Sequence, residues 1–133
     1  MLNKIDHLGI AVKDLQNAIA LYTKLLGIPP YKEEIVESEG VKTVFFQIGE
    51  SKIELLEALH DKSPISNFLA KRGDGLHHIA MKVDDITSEI DRLKTEGFIF
   101  LSDEPKQGAN NKKTIFMHPK TTGGILIELC QDK

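Results

Sequence analysis

The chain has 133 residues, 41% of them hydrophobic and 28% charged, with a formal net charge of −3. This is the size and composition of one ordinary soluble domain, able to bury roughly two-thirds of the surface its unfolded form exposes. It lacks the basic face that nucleic-acid binding needs, and no apolar run approaches the ~20 residues that span a bilayer. The single cysteine, Cys130, excludes an intramolecular disulfide and fits a reducing compartment. No basic-then-apolar leader precedes Ile5, so the expectation is a soluble cytoplasmic protein.

Ile5–Val12 alternates as a strand does, with Leu8, Ile10 and Val12 on one face and His7, Gly9 and Ala11 on the other. Asp14 then offers an N-cap to a helix in which Leu15, Ala18, Ile19, Tyr22, Leu25 and Leu26 follow helical spacing. Gly27 ends it, and Pro29-Pro30 prevents its resumption. Tyr31–Glu39 is polar and reads as a weak strand or a loop. VKTVFFQIG and SKIELLEAL are strong strands joined by a turn at Gly49-Glu50-Ser51. Ser63-Pro64 opens a short helix, ISNFLAKR, closed by Gly73. Residues 61–74 read as a linker helix between two modules, 1–60 and 75–133.

The second module repeats the first. Leu76–Val83 is a strand, Asp85 caps a helix through ITSEIDRLKTEG, and Phe98–Leu101 reads as a short strand. Asp103–Lys113 reads as a polar loop, and Lys113–His118 and Gly124–Cys130 as the last two strands. Laying IDHLGIAV on GLHHIAMKV aligns His7 with His78 at an offset of 71, and Asp14 with Asp85. Thr43-Val44-Phe45-Phe46 aligns with Thr114-Ile115-Phe116-Met117. Ile53-Glu54-Leu55 and Ile127-Glu128-Leu129 follow at an offset of 74, so each half is β-α-β-β-β. The fold class expected is α+β, with two tandem βαβββ modules.

A lone histidine on a strand is more often a hydrogen-bonded structural residue than a ligand. Glu54 and Glu128 say more, because each lies within an apolar strand. A carboxylate buried there must pair, protonate or bind a cation. The bland alternative is a salt bridge to a lysine or an outward-facing position. Duplication favours the sharper reading: His7, Glu54, His78 and Glu128, equivalent in pairs, can converge as a metal centre of two nitrogens and two oxygens. Imidazole and carboxylate without thiolate suit a borderline-to-hard divalent ion with positions left open for water or substrate. His77 points away from His78 and is expected to pack or to support the site. His60 and His118 read as surface residues, and Cys130 as a small apolar one.

The paired plan with His…Glu…His…Glu resembles the vicinal oxygen chelate (glyoxalase/bleomycin resistance) superfamily, and within it most of all the methylmalonyl-CoA epimerases. The likeness runs almost end to end: IDHLGIAV, SPISNFLAKRG, GLHHIAMKVDDI, SDEPKQGA and FMHPKTTGGILIELCQ. It implies that the two βαβββ modules form an eight-stranded cup around one metal site, with His7, Glu54, His78 and Glu128 as ligands of one divalent metal, cobalt first, with manganese, nickel, zinc or magnesium as alternatives. Some relatives carry Gln at the position of Glu54, so this site would be one charge more negative. The implied reaction interconverts (R)- and (S)-methylmalonyl-CoA through a metal-stabilised enolate, with Glu128 as one acid/base group. Thr43 stands where the resemblance expects a second glutamate, and a hydroxyl is too weak a base for that role. Glu33–Glu39 or a bound water is left for it. Lys106, Lys112, Lys113 and Lys120 are the residues expected to meet the CoA phosphates, and a homodimer is the expected assembly. Two rivals remain: a glyoxalase I-type isomerase (lactoylglutathione lyase) with the same four ligands, and a non-catalytic small-molecule-binding module, which would lack them.

Overall fold

The computed structural model describes residues 1–133. Eight strands, three α-helices and short 3-10 turns follow one another along the chain. The strands hydrogen-bond in the order β2-β3-β4-β1-β5-β8-β7-β6. Here β1 is Leu2–Ala11, β2 Lys32–Val36, β3 Val41–Ile48, β4 Ser51–Ala58, β5 Gly75–Val83, β6 Lys106–Gln107, β7 Lys112–Phe116 and β8 Ile127–Asp132. The helices are α1, Leu15–Leu26, α2, Pro64–Arg72, and α3, Ile86–Thr95. None is long and apolar enough to cross a membrane. The chain forms two compact units, Leu8–His77 and Met1–His7 with His78–Lys133. The breaks fall inside β1 and β5, so α2, expected as a linker, belongs to the first of these units.

In the unit Leu8–His77, α1 starts where Asp14 accepts a hydrogen bond from the Asn17 amide and ends at Gly27 in the left-handed region. Its apolar stripe, Leu15 and Ala18, packs on Val12, Val44, Phe46 and Leu55. Each large side chain buried this way contributes roughly 1.5–3 kcal/mol. Because β3 and β4 are antiparallel with Val44 opposite Leu55 and Phe46 opposite Ile53, all four turn toward α1. The alternate residues, Thr43, Phe45, Glu54 and Leu56, therefore line the other face. That face carries the first predicted glutamate.

The second unit uses the same rule. Ile86, Ile90 and Leu93 of α3 pack on Val83, Ile115, Met117 and Leu129. The alternate residues of these strands, Ala80, Phe116 and Glu128, turn away. β8 runs parallel to β5, with Ala80 beside Glu128, and antiparallel to β7, with Phe116 opposite Glu128.

Two expected elements differ. Phe98–Leu101 is no strand; it makes an isolated bridge, Phe100 to Met117, while Phe98 and Phe100 pack against the α3 core. Its alternation reflects burial rather than a ladder. The strand lies instead in the stretch read as a polar loop, where β6 pairs Lys106 with Thr114 and Gln107 with Lys113. Its residues are exposed, so polar side chains suit it. Asn110 and Asn111, both at positive φ, turn the chain into β7. A Cβ on Gly108 would meet the Thr114 side chain at 2.8 Å, which fixes a glycine there.

Candidate metal centre and active site

Three of the four expected ligands lie in one unit, and their donor atoms face one another. His7 Nε2 is 3.2 Å from His78 Nε2 and 3.2 Å from Glu128 Oε1. His78 Nε2 is 3.6 Å from the same carboxylate oxygen. All three residues are buried. The two imidazoles stand edge to face at 86°, and Phe116 closes on His78 with ring centroids 5.4 Å apart. Metal–nitrogen bonds of roughly 2.1 Å set neighbouring donors on one ion about 3 Å apart, so this spacing suits a shared cation. The donor set fits as well: two imidazoles and a carboxylate, away from solvent, without thiolate.

Glu54 is buried in β4 opposite Phe45, on the face away from α1. His77 packs edge-on against Phe68 of α2 with centroids 5.0 Å apart. His60 is exposed, and its ring lies where a side chain on Gly40 would reach. His118 accepts a hydrogen bond from the Lys120 amide at the start of a 3-10 turn. Burial first, and then the charges of Asp6 and Glu128, push the Cys130 thiol up to about 12. It stays protonated and is no nucleophile.

Asp6, Asp132 and Lys82, which support this centre, were not foreseen. The Asp6 carboxylate accepts from His7 Nδ1 at 2.8 Å, and its other oxygen lies 3.5 Å from Lys112 Nζ. Lys112 also pairs with Asp132, which Lys82 holds at 2.7 Å. Lys112, expected on a solvated loop facing CoA, is therefore buried and committed to two carboxylates. Lys106, Lys113 and Lys120 are exposed. A carboxylate beside a histidine in a strand was the available signal for Asp6. The repeat hid it, because the matching position in the second half is His77.

Residues 6–116 match the family described as the Glyoxalase/Bleomycin resistance protein/Dioxygenase superfamily. The chain belongs to that superfamily. It is 42% identical over 133 residues to the ethylmalonyl-CoA/methylmalonyl-CoA epimerase of Cereibacter sphaeroides, covering 98% of this chain and 99% of that one. It is 42% identical over 131 residues to the human mitochondrial methylmalonyl-CoA epimerase, covering 98% of this chain and 74% of the relative. A solved structure of a Streptomyces coelicolor methylmalonyl-CoA epimerase variant, in complex with 2-nitronate-propionyl-CoA, superposes with a TM-score of 0.95 at 33% identity. That match covers 99% of this chain and 96% of the other. By this kinship the chain is an enzyme, an isomerase of the epimerase class.

Proposed function

We propose that this enzyme interconverts the C2 epimers of methylmalonyl-CoA at a divalent metal held by His7, Glu54, His78 and Glu128. The observation that carries the reading is the convergence of His7, His78 and Glu128 on one another, in a chain whose full-length relatives include an ethylmalonyl-CoA/methylmalonyl-CoA epimerase. Glu54 is the fourth ligand in this reading: His7, Glu54 and His78 are all buried and carry metal-binding donor types. When bound, such an ion, cobalt first, supplies Lewis acidity toward the substrate's oxygens.

The C2 proton is acidified by the thioester and carboxylate that flank it. Glu128 removes it on one face, the C–H electron pair moves into a planar enolate, and a second acid returns a proton on the other face. Thr43 is fully buried, and its hydroxyl donates to the Glu34 carbonyl oxygen at 3.3 Å. Glu34 stands opposite Thr43 in the β2–β3 register, on the same face of its unit as Glu54. Of the segment Glu33–Glu39, this register favours Glu34 as the second group. Its carboxylate meets Lys32 Nζ at 3.3 Å. The exposed Lys106, Lys113 and Lys120 are proposed to meet the CoA phosphates, and a cytoplasmic homodimer completes the reading.

The test is to incubate the cobalt-loaded protein with methylmalonyl-CoA in D₂O and to follow deuterium at C2 by NMR, beside a Glu128→Gln variant. Exchange with epimerisation, lost or cut about 10²–10⁴-fold in the variant, is the expected result. Absence of exchange in the metal-loaded wild type sinks the assignment.

A further inference from the structure

We propose that Asp6 is a positioning residue for His7, holding the imidazole in the tautomer whose Nε2 lone pair faces His78 and Glu128, with Lys112 and Asp132 holding Asp6 in turn. This rests on the reading of His7 as a metal ligand. The geometry is specific. Asp6 is 1% exposed and divides its oxygens, Oδ2 to His7 Nδ1 at 2.8 Å and Oδ1 toward Lys112 Nζ at 3.5 Å. An ionised carboxylate only accepts, so the hydrogen bond to Asp6 uses the proton on His7 Nδ1, and Nε2 is left to accept from His78 Nε2 or to bind a cation. A metal ligand needs that arrangement, and an outer carboxylate on the far ring nitrogen commonly enforces it.

The contacts continue behind Asp6. Asp6 and Asp132 carry two negative charges, and Lys112 and Lys82 carry two positive ones. They form one line of ion pairs behind His7. Lys112 is itself buried at the start of β7 and is fixed by Asp132 from β8. The line from Asp132 to His7 thus ties the ring's orientation to the strand that carries Glu128.

The experiment reads the tautomer without any metal. Histidine ¹⁵N NMR of the metal-free protein is recorded for the wild type, Asp6→Ala, Asp6→Asn, Lys112→Met and Lys112→Arg, and cobalt(II) affinity is measured by competition with a chelating dye. The wild type is expected to hold His7 as the Nδ1–H tautomer. Asp6→Ala and Asp6→Asn are expected to lose that preference and to bind cobalt about 10–100-fold more weakly. Lys112→Met should fall between, and Lys112→Arg should restore the wild-type spectrum. If Asp6→Ala does not fold, the isosteric Asp6→Asn carries the comparison. An Nε2–H tautomer in the wild type overturns the proposal, as does unchanged tautomer and affinity in a folded Asp6 variant. If the wild type binds no cobalt at all, the metal reading fails separately, and the tautomer spectra still decide whether Asp6 orients His7.

Discussion

Replacing Arg92 by Met isolates a carboxylate that the second unit has buried. Glu89 lies in the first turn of α3, and its side chain is 2% exposed. It accepts from Arg92 Nε at 2.6 Å and from Nη2 at 3.3 Å. The only other cation shown beside it is the N-terminal ammonium of Met1, 3.7 Å away and 86% exposed. Removing one partner of a fully buried pair costs about 3–5 kcal/mol. Arg92 is 42% exposed, so water can replace part of what it gives, and the helix N-terminus also favours the anion. The expected loss is therefore about 1.5–2.5 kcal/mol, a Tm drop of roughly 5–10 °C for a domain of this size. The assay is urea denaturation of the wild type, Arg92→Met, Glu89→Gln and the double variant, at several pH values. The Arg92 hydrogen bond holds the Glu89 carboxyl below its ordinary value of 4.5. Its contribution is then present above that pH and is lost as pH falls through the lower folded value. The Arg92→Met deficit should shrink in acid, and the double variant should recover about 1 kcal/mol relative to the single-variant sum. A deficit under ~0.5 kcal/mol at pH 7, or one that does not change with pH, would refute the reasoning.

Two further outcomes follow from the same kind of argument. Hydrogen bonding from Lys112, then Lys82, holds the Asp132 carboxyl down at about 2 against an ordinary 3.8, so its stabilisation is present above pH 3.8 and disappears as pH falls toward 2. After discounting for its half-exposed side chain, about 1 kcal/mol of the acid sensitivity should vanish in Asp132→Asn, read as ΔG of unfolding at pH 5 and pH 2.5. Glu34→Gln should keep deuterium exchange at C2 of one methylmalonyl-CoA epimer while losing epimerisation about 10²–10⁴-fold; full epimerisation in that variant removes Glu34 from the mechanism.

The duplication was legible because side chains alternate in strands: His7 with His78 and Glu54 with Glu128 hold the same places within matching strands, although the offset grows from 71 to 74. The same parity separated the helix-packed residues, Val44, Phe46, Leu55, Ile115 and Leu129, from those turned the other way. β6 was not legible, since an exposed two-residue strand is held by its ladder to β7 and leaves no apolar pattern. Phe98 and Phe100 carried a strand-like pattern because the α3 core buries them. Lys112 misled for a different reason. A lysine among lysines reads as solvated, and only the fold shows that two aspartates, at positions 6 and 132, wait for it. Asp6 itself lay outside the repeat, and duplication finds only what both halves kept.

The double glycine before β8 bears on how this chain tolerates change. Gly123 and Gly124 both adopt positive φ, and the Gly124 amide closes on the Pro119 carbonyl at 2.8 Å. The turn therefore meters the chain into β8 so that Glu128, and not a neighbour, faces the histidines. In a strand a slip of one residue reverses every side chain. A single deletion between Pro119 and Gly124 could keep a hydrogen-bonded β8 yet present Ile127 or Leu129 to His7 and His78, and turn Glu128 toward α3. Such a protein would lose its chemistry through an error of address, with a buried charge misplaced in the core as the mark of it. Changes of length in this turn are thus more dangerous to the enzyme than a change of residue at Thr122, whose hydroxyl braces it from within.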